Sequence, residues 1–464
     1  MDELLNNSIV AIADSIRTRK VKSKEVVTAF LDRIEGVNKK LNAVVTSTAE
    51  MALKHADKAD ADLDKGNSHG SLHGVPITIK DSLDTIDVVT TWGTLGRKDF
   101  RPGRDATCVD RLRKQGAILL GKTNTPEFTL SFQTDNLVFG KTNNPYDPTR
   151  TPGGSSGGAA AIIAAGASPL DIGTDTDGSL RLPSHFCGIA CIKPTSGRVP
   201  CTGNALPSTG LIAPLTQPGP MARYVEDLYY ILKIISGPDL LDPHAIDAHL
   251  HDPYQVDVAT LRIGYHTDNG IRAPSKDIVQ TVIDVVDLLM DHNLTATEAR
   301  PTGIEMAGFI FTQVLSADDG EMLDVLLEDS RTREPSPSIL ENMKRATSEL
   351  SAVEFAQVMN LWHNFQSSML GYFHDFDILI TPVNAGAAIE HGEKEEVGSH
   401  TYTSAYNLAG WPATVIRAGT TDRGLPIGIQ ILSRPFREDH CLAVAAWLES
   451  RLDPFKPPEI NAFG

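Results

Sequence analysis

The stretch that decides the fold is residues 150–199, RTPGGSSGGAAAIIAAGASPLDIGTDTDGSLRLPSHFCGIACIKPTSGRV. Four of its glycines flank Ser155 and Ser156 within six residues. Glycine costs conformational entropy, but it permits backbone shapes and close approaches that other residues forbid. A flexible surface linker is the simpler explanation of such a cluster, yet a linker would not lead directly into the small-residue segment 156–166. We therefore expect that segment to be a helix packed closely against its neighbours.

Predicted strands and helices alternate on both sides of this stretch. Apolar runs predict strands at residues 74–81, 117–120, 169–174, 261–265, 377–381, 412–417 and 426–432. Helical spacing predicts two helices in the first 40 residues, with Ser8 and Ser23 as N-caps, and further helices at 107–115, from Ser275 and over about 438–450. Such alternation predicts an α/β protein with a largely buried mixed sheet. The charged, mostly helical pattern of residues 303–375 predicts a helical cap or excursion from the sheet.

The composition excludes several classes of protein. The chain has 464 residues, 41% hydrophobic and 22% charged, with a formal net charge of −17. The surplus of acid argues against nucleic acid as a partner, because phosphate binding needs clustered Lys and Arg. We expect no membrane span and no secretory signal, since no long apolar run occurs and the start, MDELLNN, lacks basic and apolar regions. Five cysteines without a C-x-x-C pair predict a cytoplasmic setting, with Cys187 and Cys191 as buried structural thiols.

Two local patterns suggest ligand binding but lack the context it needs. Residues 116–123, GAILLGKT, fit G-x-x-x-x-G-K-[ST], yet their four middle residues are a predicted strand where a phosphate loop needs a flexible turn. We therefore predict no nucleotide site there. His244, His249 and His251 lie near three aspartates, but their spacing matches no standard metal signature. We expect a solvated loop and no metal.

A third pattern concerns nucleophilic catalysis. Gly153–Gly157 fits G-x-S-x-G, which would make Ser155 the nucleophile of a Ser-His-Asp hydrolase. That motif needs an apolar strand immediately before it, whereas PTRTP precedes it here. A Ser-His-Asp hydrolase with Ser155 as its nucleophile is kept as the weaker alternative. We expect His185 to be packed or hydrogen-bonded rather than to act as a base.

Taken together, the motifs resemble those of the amidase signature family of serine hydrolases. The resemblance is dense over about residues 73–225 and recurs near the end of the chain. Its motifs are GVPITIKD at 74–81, GKTNTPEF at 121–128, NPYDPTRTPGGSSGG at 144–158, GTDTDGSLRLP at 173–183, CGIACIKPTSGRV at 187–199, NLAGWPA at 407–413 and GLPIGIQIL at 424–432. The resemblance implies one α/β domain over residues 1–464, with a twisted mixed sheet covered by helices on both faces.

The resemblance also implies a Ser–cis-Ser–Lys triad. Lys80 is implied as the base, Ser155, after a cis peptide bond, as the bridge, and Ser179 as the nucleophile. A serine hydroxyl is a weak nucleophile unless a base takes its proton. A lysine acts as that base only when neutral, so burial must lower its pKa.

The turn before the nucleophile carries the other implied functional groups. The oxyanion donors are implied to be the backbone N–H groups of Thr176, Asp177, Gly178 and Ser179, and Thr129 is a further substrate-binding candidate. Many family members have Gly-Gly-Ser where this chain has Asp177-Gly178-Ser179, so we expect any difference to affect rate and substrate preference more than the fold. Asp175 and Arg181 flank the turn and are expected to hold its shape.

We therefore expect an amidase that hydrolyses a linear carboxylic amide through a seryl acyl-enzyme and releases ammonia or an amine. No metal or organic cofactor is implied, the expected partner is a small-molecule amide, and a homodimer is left open. The alternatives are the glutaminase subunit of a tRNA-dependent amidotransferase, a hydrolase of urea-type amides such as allophanate or biuret, and a catalytically inactive scaffold. We expect the substrate pocket to be walled by residues near 126–132, by the cap at 303–375 and by the loop after Thr381. Its apolar candidates are Phe128, Phe132, Met306, Phe309 and Trp362.

Overall fold

The protein is described from a computed structural model, which covers residues 2–345, 350–394 and 396–460. Eleven strands occur within these residues. They are β1 (Val44–Ser47), β2 (Pro76–Lys80), β3 (Ile118–Thr123), β4 (Leu170–Asp175), β5 (Ala190–Lys193), β6 (Gln217–Ala222), β7 (Ile263–Tyr265), β8 (Ala296–Glu298), β9 (Ile378–Pro382), β10 (Ala413–Thr420) and β11 (Pro426–Ser433).

The described α-helices alternate with these strands, as the sequence predicts. They are α1 (Asp2–Leu5), α2 (Ile9–Arg17), α3 (Ser23–Leu41), α4 (Ala49–Asp64), α5 (Thr107–Lys114), α6 (Gly157–Ala164), α7 (Arg181–Cys187), α8 (Val225–Ile235), α9 (Lys276–Asp291), α10 (Ala307–Ser316), α11 (Glu321–Ser330), α12 (Pro337–Arg345), α13 (Ala352–Leu370), α14 (Thr401–Leu408) and α15 (Glu438–Glu449). Among them, no helix has both the length and the apolar character to cross a membrane.

The strands form two mixed sheets. The larger has eight strands in the order β4-β6-β5-β10-β11-β9-β7-β8, and the smaller has three in the order β1-β3-β2. The two sheets meet where β2 lies beside β4. There the Thr78 hydroxyl on β2 donates to the Leu170 carbonyl on β4 at 3.2 Å. All eight residues of β11 are buried, and since side chains alternate between the faces of a strand, the sheet is covered on both faces there. The predicted α/β fold is confirmed.

The small-residue helix α6 packs as closely as the sequence predicts. All eight of its residues are buried. A Cβ on Gly158 would lie 2.4 Å from the backbone nitrogen of Asn124, and one on Gly157 would lie 2.3 Å from the Thr134 hydroxyl. The glycines thus let the start of this helix press against the chain that follows β3.

Helices α10 to α13 follow one another between β8 and β9, so the predicted excursion from the sheet is helical. Leu323 and Leu326 on α11 and Ile339 on α12 form one apolar cluster with Phe128 and Ile212. This cluster holds the helical segment over the chain that follows β3, where the candidate site lies.

One predicted cap is confirmed and one is wrong. Ser8 caps α2, and its hydroxyl accepts from the Ala11 amide at 3.2 Å. Ser23, in contrast, is already inside α3, which has Lys22 at its N-cap. The hydroxyl of Ser23 donates instead to the Gly74 carbonyl at 2.7 Å. This long-range hydrogen bond engages the hydroxyl that would otherwise cap the helix.

Candidate active site

Lys80 ends β2, and its amino group is at the centre of a buried cluster of hydroxyls. Its Nζ lies within hydrogen-bond distance of three hydroxyls, Ser155 Oγ at 2.6 Å, Ser156 Oγ at 3.0 Å and Thr174 Oγ1 at 2.9 Å. The lysine side chain is completely buried. Residues 80, 155 and 174, far apart in sequence, therefore meet where β2 lies beside β4 and α6 begins.

The surroundings of Lys80 favour its neutral form. Burial lowers the pKa of Lys80 well below its ordinary value, and the negative charges of Asp171 and Asp175 oppose that shift. The three groups that contact the Nζ are neutral hydroxyls, which do not offset the loss of water as a carboxylate would. A neutral lysine that contacts a serine has the protonation state of a general base.

The chain around Ser155 approaches other backbone closely. The peptide bond between Gly154 and Ser155 is cis. A Cβ on Gly154 would lie 2.6 Å from the Ser131 carbonyl oxygen, so only glycine fits at that position. The Ser156 amide donates to the Ser179 carbonyl at 3.2 Å, which joins the segment of Ser155 to that of Ser179.

A buried ion pair shapes the turn that carries Ser179. The carboxylate of Asp175 accepts from the amides of Gly178 at 2.8 Å and Leu180 at 3.2 Å. The Arg181 guanidinium donates to both oxygens of that carboxylate at 2.9 and 3.0 Å. Burial by itself would raise the pKa of Asp175, but the charge and hydrogen bonds of Arg181 hold it well below its usual value. Asp175 and Arg181 thus occupy the structural positions that the sequence predicts for them.

The same turn limits which amides are available to an oxyanion. The resemblance implied four donors, but the Gly178 amide is engaged by Asp175 within the turn. Within the part of the chain that the structure describes, the amides of Thr176 and Ser179 have no hydrogen-bond acceptor. Ser179 Oγ likewise makes no hydrogen bond to a described group, so its link to Ser155 remains a prediction.

Ser179 opens into a cavity of about 400 Å³. Thr129, Thr176 and Asp177, three of the predicted substrate-binding residues, line the cavity with it. The other described lining residues are mostly apolar or small: Leu130, Ser131, Phe132, Ile212, Phe311, Thr312, Leu315, Ser316, Met322, Leu323, Ser338, Glu341, Asn342 and His400. The cavity therefore combines a serine with largely apolar walls.

Of the five apolar pocket candidates, only Phe132 lines this cavity. Phe128 is fully buried in the apolar cluster beneath it. Met306 and Phe309 are exposed to solvent, and the indole N–H of Trp362 donates to the Leu408 carbonyl at 2.9 Å within the core. The helical segment lines the cavity, but its apolar lining residues are others than those predicted: Phe311, Leu315, Met322 and Leu323, with Ile212 from outside the segment. Local sequence gives no signal for them, because only the docking of α10 to α12 selects which apolar positions face the cavity.

His185 has a structural role, as the sequence predicts. Its Nδ1 accepts from the Gly428 amide at 2.7 Å, so the proton is on Nε2, which faces the Gly386 carbonyl at 3.1 Å. Burial lowers the pKa of His185 to about 4, and these two backbone bonds oppose the shift. A neutral histidine with both nitrogens engaged is not available as a base for Ser179.

The remaining candidates also have structural explanations. Residues 116–123, which fit the phosphate-loop pattern, contain strand β3. The ammonium group of Lys122 in this stretch is buried against the carbonyl of Leu83 and the hydroxyl of Thr85. No group of metal-ligating side chains occurs among the described residues, and His244, His249 and His251 are exposed. The five cysteines are buried and free, and burial raises the pKa of Cys191 to about 12.

Comparison with known proteins agrees with this fold. The Amidase family model matches residues 25–442, and the chain belongs to that family, whose members hydrolyse amides. It is 32% identical to a glutamyl-tRNA(Gln) amidotransferase subunit of Sulfurihydrogenibium sp. (strain YO3AOP1), over 99% of this chain and 100% of that one. It is 33% identical to indoleacetamide hydrolase of Bradyrhizobium diazoefficiens, over 96% of this chain and 86% of that one. Among solved structures, 6-aminohexanoate cyclic dimer hydrolase complexed with substrate matches with a TM-score of 0.86 and 26% identity, covering 98% of this chain and 99% of the other.

Proposed function

We propose that this protein hydrolyses a small carboxylic amide with an apolar acyl group, through an acyl-enzyme on Ser179. The observation that carries the proposal is the buried contact of Lys80 with Ser155, beside a largely apolar cavity that Ser179 lines. A neutral lysine in contact with a serine is the arrangement that acyl-enzyme chemistry uses, and this contact supports an enzyme over a catalytically inactive scaffold.

The first half of the reaction forms the acyl-enzyme. Neutral Lys80 takes a proton from Ser155 as Ser155 takes one from Ser179, and the Ser179 oxygen attacks the amide carbonyl carbon. The negative charge that develops on the carbonyl oxygen is stabilised by the amides of Thr176 and Ser179. Loss of one such donor typically costs about 10²–10³ in rate. The proton returns through Ser155 to the leaving nitrogen, and the C–N bond breaks.

The second half restores the enzyme. Water attacks the acyl carbon, Lys80 and Ser155 take its proton, and the same pair returns a proton to Ser179 as the carboxylic acid leaves. The products are a carboxylic acid and ammonia or an amine. The steps use no metal or organic cofactor.

A second candidate is the glutaminase subunit of an amidotransferase, which the similarity to the glutamyl-tRNA(Gln) amidotransferase of Sulfurihydrogenibium supports. That role needs partner subunits that consume ammonia. The mostly apolar cavity favours an apolar acyl group over the charged amino-acid end of glutamine, so we place the glutaminase second.

A hydrolysis panel distinguishes these functions. Wild-type protein and Ser179→Ala are incubated with aryl, alkyl and urea-type amides and with glutamine, and acid and ammonia or amine are quantified. We expect turnover of an apolar acyl amide that Ser179→Ala abolishes. Glutamine as the preferred substrate would favour the second candidate, and allophanate or biuret would favour the urea-type alternative.

A further inference from the structure

Glu127 is a buried carboxylate at which the core of the protein and its helical segment meet. Only 2% of it is exposed. Its Oε1 accepts from the Thr94 hydroxyl at 2.6 Å, and its Oε2 accepts from the Ser336 amide at 2.6 Å. Thr94 belongs to the loop after β2, whereas Ser336 immediately precedes helix α12. One carboxylate thus joins two parts of the chain that are more than 200 residues apart.

Further contacts show that this junction is closely packed. The Gly96 amide donates to the Thr332 hydroxyl at 3.2 Å, and that hydroxyl also contacts the hydroxyl of Thr94. A Cβ on Gly96 would lie 2.1 Å from the Ser330 carbonyl oxygen, so the segment before α12 rests directly on the backbone of the core loop. The position of α12 is therefore set at its beginning by this junction.

The substrate cavity lies on the other side of the same junction. Phe128 and Thr129, next to Glu127 in the chain, have φ angles of +50° and +66°, in a region that L-residues rarely adopt. Thr129 lines the cavity from the core side, and Glu341 and Asn342 line it from α12. The Asn342 side chain donates to the Leu130 carbonyl at 2.9 Å, which closes the wall between the two parts.

We infer that Glu127 is a positioning residue that fixes the cavity wall formed by Thr129 and α12 and so determines which acyl groups bind. It contacts neither Ser179 nor Lys80, and it acts through Thr129 on one side and through α12 on the other. The inference rests on the proposed amide hydrolysis for its kinetic consequence, but the anchoring of α12 is a property of the fold alone. Disturbing Glu127 should therefore weaken binding of large acyl groups and leave the chemical step on a short acyl group nearly unchanged.

The kinetic test compares Glu127→Ala with Glu127→Gln. Alanine leaves the Ser336 amide and the Thr94 hydroxyl without their acceptor, and unsatisfied buried groups are costly. Glutamine can accept from the Ser336 amide and donate to the Thr94 hydroxyl, so it keeps both contacts. For two amides with the same leaving group, we expect Glu127→Ala to raise KM for the long or aryl acyl amide about tenfold or more. We expect kcat for the short acyl amide to change less than about threefold and Glu127→Gln to remain near wild type. Equal effects on both amides, or none, would overturn the inference.

A second measurement is independent of substrate. Hydrogen–deuterium exchange of peptides covering residues 337–344 is compared in wild type, Glu127→Ala and Glu334→Ala, the last removing an exposed carboxylate from the same segment. We expect faster exchange only in Glu127→Ala. Faster exchange in a protein that hydrolyses no amide would support the anchoring and contradict the proposed function, whereas unchanged exchange would contradict the anchoring itself. If Glu127→Ala does not fold, Thr332→Val and Asn342→Ala loosen the same junction from the other side, and the same exchange result is required of them.

Discussion

The Nζ of Lys80 lies 2.6 Å from the Oγ of Ser155, and both groups are buried. The residues come from different parts of the chain, the end of β2 and the turn before α6, and neither has a close carboxylate among its described hydrogen-bond partners. Burial disfavours the charged form of Lys80, and its neutral form is the one that can take a proton from Ser155.

Activity should rise with pH as Lys80 loses its proton. The apparent pKa of the acid limb of kcat/KM should lie well below about 10.4, the ordinary value for lysine, because burial lowers the pKa of Lys80. Lys80→Ala should remove most amide turnover, and esters should suffer less because their leaving group needs a proton less. The measurement is a pH–rate profile with matched amide and ester substrates. Near-normal amide turnover by Lys80→Ala would show that the base lies elsewhere.

Replacing Asp171 should shift the acid limb of the kcat/KM pH profile to lower pH. Asp171 is buried on β4, accepts from the Thr123 hydroxyl at 2.9 Å, and its negative charge favours the ammonium form of Lys80. Asp171→Asn removes that charge, so the pKa of Lys80 falls further and the acid limb shifts to lower pH. Burial raises the pKa of Asp171 to about 7, so its negative charge acts on Lys80 mainly above that pH. A limb that stays in place, or moves to higher pH, would contradict this electrostatic link.

Breaking the Asp175–Arg181 pair should destabilise the protein and slow catalysis together. Asp175→Asn leaves a fully buried guanidinium without its counter-charge, which typically costs about 3–5 kcal/mol. It also weakens the acceptor that holds the Gly178 and Leu180 amides. We expect a lower free energy of unfolding in denaturant titration and a lower kcat, with exposed Asp422→Asn as the control. Wild-type values of both in Asp175→Asn would contradict the assigned role of the pair.

The low pKa of Asp175 also determines how the stability contributed by its pair with Arg181 changes with pH. Because the folded-state pKa lies below the unfolded value of about 3.9, the pair contributes its full stability above that pH. The contribution is lost as pH falls through the lower folded-state value. The difference in unfolding free energy between wild type and Asp175→Asn should therefore be constant near neutrality and shrink in acid. A difference that grows in acid would have the wrong sign.

Asp177 should act on substrate charge rather than on the chemical step. It lines the cavity two residues before Ser179, and its carbonyl accepts from the Thr403 hydroxyl at 2.9 Å. Two like charges about 4 Å apart repel by roughly 1 kcal/mol in water and more when partly buried. Asp177→Asn should raise kcat/KM for an anionic amide about fivefold or more relative to a neutral one. A uniform loss of about 10²-fold across neutral, anionic and cationic amides would instead mark Asp177 as part of transition-state stabilisation.

The parts of the fold that the sequence predicts are those that depend on local pattern. The strand in residues 74–81 and the helix from Ser275 appear close to their predicted positions, as β2 and α9. Strand β6, QPGPMA, was missed because two prolines argue against a strand within a sheet. It is tolerated because only Met221 and Ala222 pair with β5, so the prolines lie where β4 is the only neighbouring strand.

In the candidate site, too, the features that local sequence predicts differ from those that tertiary packing determines. Lys80, Ser155 and Ser179 lie in dense motifs, and the structure brings the segments that carry them together. The cavity wall does not follow from local sequence. Phe311 on α10 faces the cavity while Phe309, two positions earlier, is exposed, and only tertiary packing distinguishes them. Local sequence likewise does not distinguish Glu127 from an exposed acidic residue, because the amide that donates to it, at Ser336, lies more than 200 residues away.

The position of a covalent label tests the proposed chemistry of Ser179 most directly. A fluorophosphonate is reacted with wild-type protein, Ser155→Ala and Ser179→Ala, and the labelled residue is identified by peptide mass spectrometry. We expect one label per wild-type chain, on Ser179, slower labelling in Ser155→Ala, and none in Ser179→Ala although that variant remains folded. A label on Ser155 with Ser179 unmodified, or amide turnover that persists in Ser179→Ala, would contradict the assignment of Ser179 as the nucleophile.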